Sequence, residues 1–179
     1  MKALRVFVAA LLFSSPLLSQ TQPSSVLAAC GQTTASMAVK LDDSQHAIGQ
    51  PAPGKALIYL IQDTGQAGTL AYPTTKIGID GKWVGANKKN SWFAVAVNPG
   101  EHHLCAEIQS SFIAAQAELA HLTAEAGKVY YFRTRIVFAE RTAEYFSLAP
   151  VDSDEAQYQI ASYPQATAHA RKTPYREAP

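Results

Sequence analysis

The sequence predicts a mainly β fold: an antiparallel β-sandwich with a short C-terminal helix. Three observations carry this expectation. Nearly every long apolar segment alternates with period two, the segments are short, and turn-forming residues interrupt them at close intervals. Strands with one apolar face must bury it, and packing two sheets face to face is the common solution.

Taken in order, Ala35 to Leu41 reads as a first strand, followed by the polar link DDSQHAIGQPAP, Asp42 to Pro53. GKALIYLIQD, from Gly54, is rich in β-branched and aromatic residues and apolar on both parities, so it reads as a strand covered on both faces. After the loop TGQAGTLAYPT comes TKIGIDGKWVG, where Asp80-Gly81 between apolar alternations marks a hairpin, because a type I′ turn needs positive φ at both central residues. SWFAVAVNPGEHHLCAEIQ predicts a second hairpin: Phe93, Val95 and Val97 share a face, Asn98-Pro99-Gly100 turns the chain, and Leu104, Ala106 and Ile108 continue an apolar face.

LTAEAGKVYYFRTRIVF repeats the pattern, with a turn at Gly127 and with Tyr130, Phe132, Ile136 and Phe138 opposite Tyr131, Arg133 and Arg135. FIAAQAELAHL, Phe112 to Leu122, is the ambiguous segment; its alanines favour helix, and only its second half reads as strand. EYFSLAPVD is the last strand, and Asp152 with Glu155 three residues on resembles a capping box that opens a helix running to about Ser162, stopped by Pro164. The tail from residue 163, YPQATAHARKTPYREAP, is poor in apolar residues, holds three prolines and reads as disordered.

The chain opens MKALRVFVAALLFSSPLLSQTQ, with Lys2 and Arg5 ahead of an apolar run from Val6 to Leu18. This is the layout of a secretory signal peptide, and the run is short for a membrane span. Cleavage near Ser19 or Gln20 divides the chain into a signal peptide (1–19), a leader with the first strand (20–53), the sandwich (54–162) and the tail (163–179). Leu27-Ala28-Ala29-Cys30 also resembles a lipobox, although Ser19 to Ser25 separates it from the apolar run. Membrane attachment is therefore expected only if Cys30 is lipidated. Removing residues 1–19 takes Lys+Arg from 15 to 13 against 14 Asp+Glu, a net charge of −1. Such a surface lacks the basic excess of a nucleic-acid binder.

GEHHLC, Gly100 to Cys105, concentrates the chemistry-bearing residues. On a strand, His102, Leu104, Ala106 and Ile108 face one way and His103, Cys105, Glu107 and Gln109 the other. The two histidines face apart. A metal site here would have to use His103, Cys105 and Glu107, spaced about 6.8 Å apart along the strand, too far for one ion without help from other segments. The chain holds two cysteines, Cys30 and Cys105, and an exported chain with an even count pairs them in an oxidising compartment. A disulfide therefore competes with lipidation of Cys30 for the same sulfur.

No G-x-S-x-G is present, and Cys105 with His103 is the sequence-local candidate for a thiol nucleophile and its base. The acidic pairs lie in the polar link (Asp42-Asp43) and at the helix start (Asp152-Ser153-Asp154-Glu155), where acids offset unpaired N–H groups. No catalytic residue, cofactor or metal is assigned. An outward Trp92, with Trp83, Tyr131 and Arg133, forms a candidate patch for a sugar or a partner protein; the alternative is that both faces of the sheet are covered.

PGKALIYLIQD, TKIGIDGKWVGANKKNSWFAVAVNPGEHHLC and LTAEAGKVYYFRTRI together resemble a family of small uncharacterised bacterial envelope proteins and lipoproteins, a domain of unknown function, over about Gly54 to Asp152. The most specific parts are Gly127 to Arg133 and the Pro99-Gly100-Glu101-His102 turn. The paired turns are distantly similar to PEGA-type and transthyretin-like sandwich modules, although the Pro-Glu-Gly-Ala run is absent. The resemblance implies an envelope location and a non-catalytic sandwich. The expected function is thus an exported structural or binding module of the periplasm or exterior, with an envelope protein or glycan as partner. The alternatives are an envelope hydrolase using His103 with Cys105 or a carboxylate, and an outer-membrane lipoprotein anchored through Cys30.

Overall fold

The computed structural model describes residues 29–30, 36–44, 47–64, 72–110, 116–139 and 142–171. The expected signal peptide, residues 1–19, and the end of the tail, residues 172–179, lie outside the described residues. Among the described residues the strands are β1 (Met37–Asp42), β2 (Ala56–Asp63), β3 (Thr74–Ile79), β4 (Lys82–Lys88), β5 (Ser91–Val97), β6 (Gly100–Gln109), β7 (Ala117–Ala124), β8 (Val129–Ala139), β9 (Thr142–Pro150) and β10 (Gln165–Ala170). Helix α1 (Ser153–Ser162) precedes β10.

The strands form a six-stranded sheet, β1-β10-β5-β2-β8-β9, and a four-stranded sheet, β4-β3-β6-β7. Ile58 and Leu60 of β2, Phe93 and Val97 of β5, Phe132 and Ile136 of β8 meet Ile77, Ile79, Leu104, Ala106 and Ile108 of the smaller sheet in one buried core. This is the expected sandwich. The larger sheet is mixed, because β2 pairs with β8 and β10 with β5 in parallel, while the other neighbours run antiparallel.

The alternation over β6 holds as read: His102, Leu104, Ala106 and Ile108 are buried inward, and His103 is exposed on the other face. The β3–β4 hairpin turns at Asp80 (φ 50°) and Gly81 (φ 76°), the left-handed pair that this turn demands. The second expected hairpin is corrected. β5 pairs with β2 and β6 with β3 and β7, so Asn98-Pro99 carries the chain from one sheet to the other instead of joining two neighbours. Gly127 does the same between β7 and β8, its N–H donating to Lys55 O at 2.8 Å. Period two identifies the apolar face of a strand. Side-by-side and face-to-face partners bury that face equally well, so alternation alone cannot separate them.

The expected disorder of the tail is corrected over Gln165–Ala170. These residues pair antiparallel with β1 from Met37↔Ala170 to Asp42↔Gln165, and Ala166 enters the core. A low apolar content misleads here because the ladder bonds come from the backbone, and one small inward residue per turn of pleat suffices at this end of the sheet.

The second face of the larger sheet is covered by α1. Tyr59, Ile61 and Trp92 pack against Ala156 and Ile160 of the helix. Asp152 caps the helix by accepting from Asp154 N at 2.8 Å, with Asp154 and Glu155 in the positive first turn. Glu155 does not close the expected box; its carboxylate instead pairs with Arg133 on β8. The helix ends at Tyr163, held extended ahead of Pro164.

Candidate functional site

The outer face of the four-stranded sheet gathers most of the chemistry-bearing residues. Alternation on β6 turns Cys105 outward, and Cys30 reaches across to form the disulfide, with the Cα atoms 5.1 Å apart over a sequence separation of 75. Ala29, Cys30 and Cys105 form a small buried cluster, with Trp83 of β4 packed against it. The short segment at Ala29-Cys30 lies as a strap on β3: Ala29 O accepts from Gly81 N at 3.1 Å. A Cβ at Gly78 would stand 2.7 Å from Ala29 O and 3.0 Å from Cys30 Cα, so only glycine lets the strap lie this close. Beside it Lys76, almost fully buried, pairs with Glu107 at 2.7 Å and sets its Nζ 4.4 Å above the Trp83 ring.

The two histidines of GEHHLC have different surroundings. His102 points inward, with Nδ1 2.6 Å from Asp80 Oδ2 and Nε2 2.8 Å from Asn98 O. Burial acts to lower its pKa, but the hydrogen bond to Asn98 O and the Asp80 carboxylate outweigh it, and the pKa is raised. A carbonyl and a carboxylate both accept, so the arrangement suits the imidazolium with both ring nitrogens donating. That clamp ties the β3–β4 turn to the β5–β6 crossing. It leaves His102 no free lone pair for use as a base.

His103 faces out, and its backbone N–H donates to Asp80 Oδ1 at 2.9 Å. Directly across the ladder stands His121 of β7, the two ring centroids 5.7 Å apart. The pair lines an open depression of about 220 Å³ together with Ala29, Leu119 and Ala120. His121 lies in the segment whose secondary structure was ambiguous, so its register against His103 had no signal in the sequence beyond the strand reading of that segment's second half.

The aromatic patch expected from Trp83, Trp92, Tyr131 and Arg133 is not assembled. Trp83 belongs to the four-stranded sheet and leans on the disulfide, whereas Trp92, 2 % exposed, lies under α1 in the other sheet. Trp92 Nε1–H donates to Tyr163 O at 2.9 Å, and its ring meets Tyr59, which stacks on Tyr131. The helix needs an apolar seat, and the outward parity of β2 and β5 supplies it, so both sheet faces are covered. Burial holds the Tyr59 and Tyr131 hydroxyls above the usual tyrosine range, so neither is a base near neutrality.

The thiol reading fails on the same geometry, because the Cys105 sulfur is bonded to Cys30. Among the described residues no group of three or more His, Cys, Asp or Glu side chains is placed to hold a metal ion. Nor is any helix among them long and apolar enough to cross a membrane.

Residues 52–146 match the family model described as a protein of unknown function, DUF2846. The chain belongs to this family. The match spans β2 to β8 and most of β9, that is, the whole four-stranded sheet and the β5-β2-β8-β9 part of the larger one. The strap residue Cys30, the β1–β10 pair and α1 lie outside the matched DUF2846 segment. The disulfide thus fastens a flanking segment to the matched domain. No curated protein and no solved structure matches the chain.

Proposed function

We propose that this DUF2846 chain is an exported, non-catalytic β-sandwich module with a structural or binding role in the bacterial cell envelope, acting on an envelope protein or glycan. The observation that carries the reading is the Cys30–Cys105 bridge, whose sulfur atoms are enclosed between the strap and the sheet. Disulfides of this buried kind persist in oxidising compartments, and a reducing cytosol opposes their formation. The leader MKALRVFVAALLF, ahead of the strap, supports the same direction of travel.

The bridge also weighs against the two alternatives. A lipid thioether and a disulfide cannot share the Cys30 sulfur, and a hydrolase relying on Cys105 has no thiolate to use. A hydrolase would then need His103 with a carboxylate. The test is to fuse residues 1–28 to a reporter phosphatase that lacks its own signal and is active only after oxidative folding. Reporter activity outside the cytoplasm supports the proposal; activity lost, with the fusion retained whole in the cytoplasm, overturns it.

A further inference from the structure

We propose that His103 and His121 form a two-histidine site for a divalent transition cation of the zinc, nickel or copper class on the outer face of the four-stranded sheet. His103 on β6 and His121 on β7 are direct partners in the antiparallel ladder. Directly opposed residues put their Cβ atoms about 4.5–5.5 Å apart on one face. Here the two imidazoles lie side by side, with ring centroids 5.7 Å apart and planes inclined at 49°. An ion bound at about 2.0–2.1 Å to each ring spans ligating nitrogens no more than about 4 Å apart. Ordinary rotation about the His Cα–Cβ and Cβ–Cγ bonds turns the facing ring edges into that range.

Two further features suit the pair to a ligand. The rings border the open depression of about 220 Å³, so an ion with its remaining waters has room beside them. The strand carrying His103 is fixed on both sides of it: its own N–H is held by Asp80 Oδ1, and Cys105, two residues on, is bonded to Cys30. A site on a pinned strand loses little conformational freedom when it binds. Leu119, facing Cys105 across the ladder, and Ala29 form an apolar rim beside the rings. Imidazole is a favoured ligand for zinc, nickel and copper and a poor one for magnesium or calcium, which fixes the class of ion. Two protein ligands leave several coordination positions to water, so the ion is held weakly and stays open to a further ligand from outside the chain.

The experiment uses the disulfide-bonded mature protein without an affinity tag, stripped with chelator and then titrated with Ni2+ or Zn2+ while melting is followed. The expected result is saturable one-to-one binding, with a rise in melting temperature of roughly 5–10 °C at a hundredfold excess over Kd. His103→Ala and His121→Ala should each weaken the affinity at least tenfold, and His169→Ala should leave it unchanged. Both site side chains are exposed, and circular dichroism of each variant checks that it folds. Electron paramagnetic resonance with Cu2+ should report two coupled nitrogens in the wild type and fewer in either variant. Absence of any shift at millimolar metal overturns the proposal, as does wild-type affinity in either single variant, which would place the ion elsewhere on the chain.

Discussion

Replacing both cysteines, Cys30→Ala with Cys105→Ala, should destabilise the protein by roughly 4–5 kcal/mol. The magnitude follows from the separation of 75 residues between the bridged positions. On the chain-entropy model, closing a loop of that length restricts the unfolded ensemble by about 4.5 kcal/mol at 25 °C. For a domain of about 150 residues each kcal/mol moves the melting temperature by about 2–4 °C, so the midpoint should fall by roughly 9–18 °C. The natural assay is urea unfolding followed by tryptophan fluorescence, since Trp92 is enclosed under the helix and reports its opening. Because the bridge acts on the unfolded chain, releasing it should also steepen the denaturant dependence as the unfolded ensemble expands. A loss below about 1 kcal/mol, or an unchanged slope, would refute the view that this bridge staples a flanking segment to the sandwich.

Gly78→Ala should cost about 1–3 kcal/mol by pushing the strap off the sheet, and a double-mutant cycle with Cys30→Ala should recover at least half of that loss. Additive losses would mean that the strap is not what the new methyl meets. The His102 clamp makes a pH prediction: its pKa is raised in the fold, so its stabilisation is fully present below the unfolded value of about 6.5 and is lost as pH rises through the folded pKa. The stability difference between wild type and His102→Gln should therefore shrink from pH 6 towards pH 9 in urea melts; a constant difference contradicts the clamp. Trp92→Phe strands the Tyr163 carbonyl and should cost about 1–3 kcal/mol while removing the blue-shifted part of the tryptophan emission. An unshifted emission spectrum would place Trp92 at the surface after all.

The parts of the fold legible in the sequence are those set by local rules. Inward His102, Leu104, Ala106 and Ile108 follow from the pleat, Asp80-Gly81 from the sterics of a tight turn, and the start and stop of the helix from Asp152 and Pro164. The Cys30–Cys105 pairing follows from an even count of cysteines in a chain whose first residues read as a signal peptide. What stayed hidden depends on which non-local partner a face meets. Phe93 and Leu104 look the same whether β5 and β6 lie side by side or on opposite sheets. Trp92 reads as outward because the helix that covers it begins 61 residues later in the chain, at Ser153. The facing of His103 and His121 depends on the register of β7, whose alanine-rich sequence carries little strand signal of its own.

The most direct measurement is the intact mass of the protein recovered from bacterial cells expressing the full chain from Met1, alkylated before and after reduction under denaturing conditions. An exported, bridged module arrives lacking about the first 19 residues, takes up no alkylating agent at first, and gains two adducts, at Cys30 and Cys105, once reduced. A chain still beginning at Met1 with both thiols alkylated at once, or one beginning at an acylated Cys30, would contradict that assignment.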